Sequence, residues 1–247
     1  LNADDQFYNF HKKIALKRKL RIYSFSTKKK NANIRLNSIK KEGKKYKIFI
    51  NMGNKKMYFY FPSNFENDIK NLLAALTVIG IFKNVSELNK NIFYNHKKLE
   101  GRGDISKIKI NKKNIFLIDE SYNSNPLSLK SAINNFDALK VNDSKKHLIL
   151  GDMLELGRHS KKLHSGIGAI INKTSIDYVN VIGKNIAETY KKINKNKKGL
   201  ILKKNSHIIH LIKNDINNND YLMIKGSNST GLHKLTNSLK TGKINVL

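Results

Sequence analysis

The chain has 247 residues, of which 39% are hydrophobic, and it includes 11 Phe and 10 Tyr. This length and apolar content predict one large or two smaller folded domains and exclude a disordered chain. The absence of Cys excludes disulfides and thiolate metal sites, and because no apolar run approaches about 18 residues we expect no membrane span. No signal peptide is evident, and since the chain opens on Leu1 rather than Met we expect it to start inside a longer protein.

The formal charge is +30, from 48 Lys and Arg against 18 Asp and Glu. A nucleic-acid binder is one interpretation of this charge. The other is compositional drift, because the cations are nearly all Lys and are scattered along the chain rather than gathered with aromatic residues in one segment. We favour drift, although a Lys-rich surface still attracts anionic ligands such as nucleotides.

The first part of the chain is predicted to combine antiparallel strands with helices. Alternating patterns predict strands at residues 21–25, 33–39, 46–50 and 57–61, with hairpin turns at 42–44 and 52–54. Helices are expected at residues 7–20, 67–82 and 85–93. The apolar face of the 67–82 helix is assigned to Ile69, Leu72, Leu73, Leu76 and Val78. A polar, Gly-containing link at residues 96–104 is interpreted as a domain boundary.

From residue 105 the pattern changes to strands that alternate with helices. Strands are predicted at residues 115–118, 146–152, 178–183, 200–202 and 221–226. Helices are predicted at residues 126–139, 160–172, 186–193, 206–213 and 231–239, the first with Leu127, Leu129, Ala132, Ile133 and Phe136 turned inward. Such alternation is typical of an α/β fold with a mainly parallel sheet and helices on both faces.

Polar loops follow three of these strands, at residues 119–126, 151–157 and 225–231. In an open parallel sheet the carboxyl ends of the strands meet at one edge, so we expect these loops to form one ligand site. The third loop has a cation and hydroxyl donors before a helix, which suits an anion, but the chain lacks the Gly-x-x-x-x-Gly-Lys-[Ser/Thr] phosphate loop.

Several side chains in these loops are candidate ligands. The Asp119 carboxylate suits ribose hydroxyls, and Asn123 and Asn125 offer both donors and acceptors. The alternative is that the first loop holds only turn formers and helix caps, that residues 151–157 are an ordinary connection, and that residues 225–231 are a Ser- and Asn-rich helix start. Arg102, in a Gly-Arg-Gly segment, is either a phosphate clamp or part of a plain hinge.

The histidines do not indicate a catalytic or metal site. His207 and His210 lie three residues apart on a predicted helix without a third ligand nearby in the sequence. His164 is interpreted as a packing or surface residue.

Two of the loops resemble signatures of the Mur ligase family. The sequence DESYNSNP at residues 119–126 is similar to the family's DDSYNANP, with Glu120 and Ser124 in place of Asp and Ala. The sequence LGDMLELG at 150–157 matches the family's loop letter for letter, and KGS at 225–227 and GR at 101–102 fit its shorter motifs. LNADD at 1–5 and NLLAA at 71–75 are similar to segments of the family's central domain.

The resemblance implies a fold and an activity. Residues 1–98 would form the rear of the P-loop-type central (ATPase) domain, with antiparallel strands and helices, and residues 99–247 the C-terminal Rossmann-like domain. The family branch with these signatures is an ATP- and Mg²⁺-dependent acid–amino-acid ligase of peptidoglycan synthesis. It joins D-alanyl-D-alanine to UDP-N-acetylmuramoyl-tripeptide through an acyl phosphate, in the bacterial cytoplasm, and we expect a monomer.

The resemblance also implies roles for individual residues. The nucleotide would contact Arg102, Asp119, Asn123, Asn125 and Asn71. The acceptor would lie along the two other loops, at Asp152, Met153, Glu155, Lys225 and Ser227. The family's phosphate loop, metal ligands and carbamylated lysine have no counterpart in this chain, so we expect it to be inactive alone. A Rossmann-like nucleotide or nucleic-acid binding module, and a Mur ligase with another acceptor, remain as alternatives.

Overall fold

A computed structural model describes residues 1–29, 31–97 and 99–243. The chain divides into two compact units, residues 1–97 and residues 98–247. Each unit has its own sheet and its own apolar core. Within the described residues no helix is both long enough and apolar enough to cross a membrane.

The first unit is a four-stranded sheet packed against a helix. Its elements are α1 (Tyr8–Lys17), β1 (Phe25–Ser26), β2 (Ile34–Glu42), β3 (Lys45–Met52), β4 (Lys55–Phe61) and α2 (Glu66–Phe82). The two predicted hairpins are confirmed, because β2, β3 and β4 pair antiparallel in that order. Gly43 and Gly53 supply the positive φ angles, 59° and 56°, that their tight turns require. The inward residues of β3 and β4, among them Ile48 and Phe59, form the core with α2.

Three expectations for this unit are wrong. Of the strand predicted at 21–25 only Phe25 is in a strand, the short β1 that runs parallel to β2. Val78 is 57% exposed, and Thr77 is buried instead with its hydroxyl donating to the Leu73 carbonyl. The helix predicted at 85–93 is a single 3₁₀ turn, Val85–Glu87, because Leu88 is already extended and ends it.

The second unit is a six-stranded mixed sheet with helices on both faces. Its strands are β5 (Asp104–Ile110), β6 (Lys113–Glu120), β7 (Lys146–Gly151), β8 (Tyr178–Ile182), β9 (Lys198–Leu202) and β10 (Tyr221–Lys225). Its helices are α3 (Pro126–Asp137), α4 (Ser160–Ile171), α5 (Ala187–Lys192), α6 (Asn205–Asn214) and α7 (Leu232–Thr241). The strand order is β5-β6-β10-β7-β8-β9, so β10 lies between β6 and β7.

The predicted parallel sheet is confirmed for five of the six strands. The exception is β5, an edge strand that was not predicted and that pairs antiparallel with β6. One core packs each face of the sheet, with Leu235 and Ile212 on one side and Phe136 and Ile167 on the other. Leu127 was expected to face inward but is 77% exposed.

Candidate functional site

The three polar loops surround one cleft at the carboxyl edge of the sheet in the second unit. Its volume is about 720 Å³. The lining residues come from all three loops and from the start of α7: Tyr122, Asn123, Ser124, Asn125, Leu154, Glu155, Leu156, Ser227, Asn228, Ser229, Gly231 and Lys234. The expected convergence of the loops is confirmed, since β10 sits between the two strands that precede the other loops.

Ser227 connects the three loops. Its backbone N–H donates to the Asp152 carbonyl at 3.0 Å. Its hydroxyl accepts from the Leu154 N–H at 3.0 Å and donates to the Ser124 carbonyl at 3.3 Å. The side chain is almost fully buried. Ser227 is therefore a residue that holds the walls of the cleft together, beside the place where the acceptor was expected.

The close approach of the second and third loops depends on two glycines. A Cβ built at Gly151 would lie 2.7 Å from the Leu232 side chain, and one built at Gly226 would lie at the same distance from it. A Cβ at either position would force the Leu232 side chain to move, because real Cβ contacts do not become this short. These glycines let α7 begin directly against the sheet edge.

The first loop combines a helix cap with exposed amides. The Asn125 side chain accepts from the Ser128 N–H at 2.8 Å, and the Ser128 hydroxyl accepts from the Asn125 N–H, so the two form a capping box at the start of α3. Asn123 is exposed and its side-chain oxygen accepts from the Ser124 N–H. The expected helix cap is therefore confirmed, and since Asn125 also lines the cleft, its role as a ligand-binding residue stays a prediction.

Asp119 lies below the cleft rather than in its wall. Its side chain is completely buried, with one oxygen accepting from Ser121 and the other from Lys240 Nζ at 2.6 Å. Burial acts to raise the pKa of Asp119, but the hydrogen bonds from Lys240 and Ser121 outweigh it and hold the pKa below its ordinary value. Lys240 also bonds Asp104, which pairs with Asp119 across β5 and β6. At this strand end the partly exposed carboxylate is that of Glu120.

Lys225 is also buried, with 2% of its side chain exposed. Its ammonium group donates to the Asn123 carbonyl at 2.9 Å and lies 3.4 Å from the Glu120 carboxylate. Burial lowers the pKa of Lys225, and Glu120 opposes that change. The cation expected to face an anionic ligand therefore supports the first loop from beneath, and Lys234 is the cation that lines the cleft.

The second loop divides its residues between the core and the cleft. Met153 is buried in the core and its N–H donates to His164. Asp152 turns away from the cleft, and one of its carboxylate oxygens accepts from the Ile186 N–H at 2.7 Å. Glu155 is exposed in the cleft wall with φ 63°, a left-handed conformation that is uncommon outside glycine and often found at functional sites.

The Gly-Arg-Gly segment is joined to the first loop. The Tyr122 N–H donates to the Gly101 carbonyl at 3.1 Å, and the Gly103 N–H donates to the Asp119 carbonyl. The exposed Arg102 guanidinium lies 4.5 Å from the centre of the Tyr122 ring, a cation–π distance. Arg102 is thus available to an anion close to the cleft.

His164 and Asn71 lie outside the three loops. His164 is fully buried, which confirms its interpretation as a packing residue. Asn71 is exposed on α2 of the first unit, and its nucleotide role stays a prediction. No group of three or more His, Asp or Glu side chains is placed to hold a metal ion within residues 1–29, 31–97 and 99–243.

Sequence reasoning missed two residues that lie outside the three loops: Lys234, which lines the cleft, and Lys240, which binds Asp119 beneath it. Lys234 had a detectable signal, because it falls in the first turn of the helix that follows the third loop. Lys240 had none, because its partner lies 121 residues earlier in the chain.

Comparisons with known proteins agree on one family. The family model described as "Mur ligase, glutamate ligase domain" matches residues 106–228. Among relatives called UDP-N-acetylmuramoyl-tripeptide–D-alanyl-D-alanine ligase, the Haemophilus influenzae protein is 28% identical over 178 residues, 71% of this chain and 37% of its own length. The Rickettsia prowazekii protein is 27% identical and matches 95% of this chain and 51% of its own length. The chain spans between 27% and 51% of the curated relatives it matches.

Solved structures share the fold. MurF from Acinetobacter baumannii superposes with a TM-score of 0.77 at 18% identity, covering 97% of this chain and 51% of that protein. MurF from Thermotoga maritima in complex with ADP gives 0.72 at 17% identity, covering 95% of this chain and 52% of that protein.

Proposed function

This chain belongs to the Mur ligase family, and we propose from that premise that it forms the rear half of an ATP-dependent amide ligase of peptidoglycan precursor synthesis. Residues 1–98 would be the end of the central domain and residues 99–247 the C-terminal domain. The enzyme would act in the cytoplasm and join D-alanyl-D-alanine to UDP-N-acetylmuramoyl-tripeptide. ATP supplies the phosphoryl group that activates the tripeptide carboxylate as an acyl phosphate.

The observation that supports this proposal most is the composition of one cleft. The two most specific family signatures, at residues 119–126 and 150–157, lie far apart in the sequence but line the same cavity with the third loop. A chance resemblance in separate loops would not require them to share a cavity. Their convergence is what a common ligand needs.

The accessible side chains suit the proposed substrates. Arg102 is exposed and its guanidinium is planar, which favours phosphate recognition, and Asn123 and Asn125 line the cleft. Glu155 and Lys234 put opposite charges in the cleft wall, as a zwitterionic dipeptide requires. Asp119 and Lys225 would act indirectly, by holding the first loop in place.

The support for ATP differs from the support for Mg²⁺. MurF from Thermotoga maritima was solved in complex with ADP, which supports nucleotide binding by an enzyme of this fold. For Mg²⁺ we assign no ligand among the described residues, and its ligands would lie in the part of the enzyme that precedes this chain. Asp119 as a ribose ligand and Asn71 as a nucleotide contact stay predictions.

The choice of acceptor rests on the relatives rather than on the fold. UDP-N-acetylmuramate-alanine ligase from Thermotoga maritima shares the fold with a TM-score of 0.64, so the architecture accommodates other acceptors. The curated relatives named above carry D-alanyl-D-alanine in their names, and the LGDMLELG loop lines the cleft.

A ligation assay tests the proposal. The 247-residue chain and the full gene product, extended upstream of Leu1 as far as its reading frame runs, are each incubated with ATP, Mg²⁺, UDP-N-acetylmuramoyl-tripeptide and labelled D-alanyl-D-alanine. We expect the extended protein to form the labelled amide and release phosphate, and the 247-residue chain to do neither. An extended protein that binds the substrates but never forms the amide would refute the proposal.

A further inference from the structure

A second cavity of the second unit, about 550 Å³ in volume, lies at the edge of the sheet where the parallel strands begin. Its walls include His147 of β7, Tyr178 of β8 and Lys198 of β9, and we call it the amino-edge cavity. No described residue lines both this cavity and the cleft. Its volume is within the range of about 300–1,000 Å³ that small-molecule sites occupy.

Asn180 presents a hydrogen-bond donor to the amino-edge cavity. The residue is 2% exposed, and its Oδ1 accepts from the Leu200 N–H at 2.7 Å, which fixes the orientation of the amide. Nδ2 therefore points away from Leu200, and within the described residues it has no hydrogen-bond partner. The one unpaired side-chain polar atom that is sealed from solvent there is the Ser124 hydroxyl, so Asn180 Nδ2 keeps accessible surface. A group that enters the cavity can reach this donor.

His147 presents an acceptor to the same cavity. Its Nε2 lies 3.1 Å from an oxygen of the Asp220 carboxylate, which can only accept, so Nε2 carries the proton. Burial lowers the pKa of His147, so the ring is neutral near pH 7 and its Nδ1 is an acceptor. The Tyr178 ring stacks on the imidazole at 5.1 Å between centroids, which holds the plane of the ring. Within the described residues Nδ1 has no hydrogen-bond partner.

The sheet register places the donor and the acceptor on one face. His147 pairs with Tyr178, and Ile149 pairs with Asn180, so His147 and Asn180 are diagonal neighbours on adjacent strands. A donor beside an acceptor complements the polar edge of a nucleobase, and proteins commonly read such edges next to an aromatic side chain. Tyr178 is 41% exposed and supplies that aromatic surface.

The charges at the amino-edge cavity favour an anionic group on the ligand. Lys198 is half-buried, and its ammonium group lies 5.1 Å from the centre of the Tyr190 ring. Lys145 lines the cavity as well, although Asp177 is 3.3 Å from its ammonium group. Among the described residues Lys198 forms no ion pair, so its charge is available to a phosphate.

We propose that the amino-edge cavity binds a nucleoside monophosphate, with Asn180 and His147 on the edge of the base, Tyr178 against the base and Lys198 beside the phosphate. This site is separate from the cleft and takes no part in amide formation. The inference goes beyond the proposed function and does not depend on it.

NMR titration of the 247-residue chain with AMP tests the proposal at the site itself. The side-chain amide signals of Asn180, assigned through bonds from the backbone, report the Kd of this cavity alone. Purine riboside monophosphate lacks the amino group that would donate to His147. It should bind roughly twofold to tenfold more weakly than AMP, the range of one neutral hydrogen bond.

Variants test the phosphate contact. Lys198→Met should raise the Kd for AMP roughly twofold to fivefold, the range of an exposed ion pair, and leave the Kd for adenosine unchanged. The control Lys173→Met, at an exposed position outside the cavity, should change neither value. Asn123→Ala, in the cleft, should also leave the response of Asn180 to AMP unchanged.

The outcomes separate this inference from the proposed function. Asn180 signals that do not shift at about 10 mM AMP, tenfold above a Kd of about 1 mM, overturn the inference. Equal affinity for AMP and purine riboside monophosphate, or the same response to inorganic phosphate alone, overturns the recognition of a base. A response that Asn123→Ala abolishes places the nucleotide in the cleft, which overturns the inference and leaves the ligase proposal standing.

Discussion

Replacing Lys240 with Met should destabilise the second unit strongly, because it removes the cation from a buried carboxylate. Lys240 Nζ lies 2.6 Å from both Asp119 and Asp104. The Asp119 side chain is completely buried and that of Lys240 is 15% exposed, so water cannot replace the lost partner at Asp119. Breaking a buried ion pair typically costs about 3–5 kcal/mol. We expect about 3 kcal/mol here, since Ser121 keeps its hydrogen bonds to Asp119.

The pH dependence of this stability loss shows whether it comes from the buried ion pair. In the wild type the lowered pKa of Asp119 means that its stabilising contribution is complete above the ordinary value of 3.8 and is lost as pH falls through the folded value. The pKa of Lys240 is raised, so its contribution to stability is complete below the ordinary value of 10.5 and is lost as pH rises through the folded value. Without Lys240, burial is opposed by the Ser121 hydrogen bonds but no longer by the ammonium group, so the pKa of Asp119 is higher in the variant than in the wild type. The difference in stability between the two proteins should therefore shrink as pH falls below about 4, toward the lowered pKa of Asp119 in the wild type.

Urea unfolding followed by far-ultraviolet circular dichroism at several pH values measures this difference. A loss of about 3 kcal/mol in the 150-residue second unit corresponds to a melting temperature roughly 6–12 °C lower. Lys234→Met, on an exposed position of the same helix, is the matched control and should change stability by less than about 0.5 kcal/mol. A loss no larger than that of the control, or one that is constant with pH, would refute the reasoning.

Three further predictions concern the loops and the sheet. Ser227→Ala should lower the free energy of unfolding by about 1–3 kcal/mol, because the Leu154 N–H loses its acceptor. Hydrogen exchange at the Leu154 amide should accelerate, and unchanged exchange would contradict the role of Ser227. Gly183→Ala should lower the free energy of unfolding in urea by about 2 kcal/mol or more, since φ is 130° and a Cβ would lie 2.5 Å from the Asp152 carboxylate. Alanine at Gly166, an exposed glycine of α4, should instead stabilise the protein. Equal effects of the two substitutions would contradict the argument. Burial lowers the pKa of His147, so below about pH 6.5 the imidazole is protonated more readily in the unfolded chain than in the folded one, and the free energy of unfolding falls. His147→Gln should therefore lose less stability than the wild type between about pH 7 and about pH 5. The same pH dependence of stability in both proteins would contradict this prediction.

Local patterns were sufficient for much of the fold. Alternation in residues 46–50 and 57–61 predicted two strands because each buries one face, and Gly43 and Gly53 marked the hairpins. The short apolar runs in the second unit predicted parallel strands because both of their faces are covered by helices. The loops could then be assigned to one edge from topology alone.

The errors arose where partners decide the structure. Val78 and Leu127 are apolar but face solvent, because which side of a helix is buried depends on what packs against it. Strand β5 has a weak alternation, with Ile105 half exposed, and is held by its register with β6. No local pattern could indicate that Asp119 binds Lys240.

The most direct test of the central claim is hydrogen-exchange mass spectrometry of the 247-residue chain with and without D-alanyl-D-alanine. If the second and third loops form the acceptor site, exchange should slow in the segments 154–156 and 227–231, which contribute to the lining of the cleft. The segments 42–45 and 91–95, which contribute to the lining of a separate cavity of about 740 Å³ in the first unit, should exchange as before. Protection confined to that other cavity, or no protection in either loop at saturating dipeptide, would contradict the account.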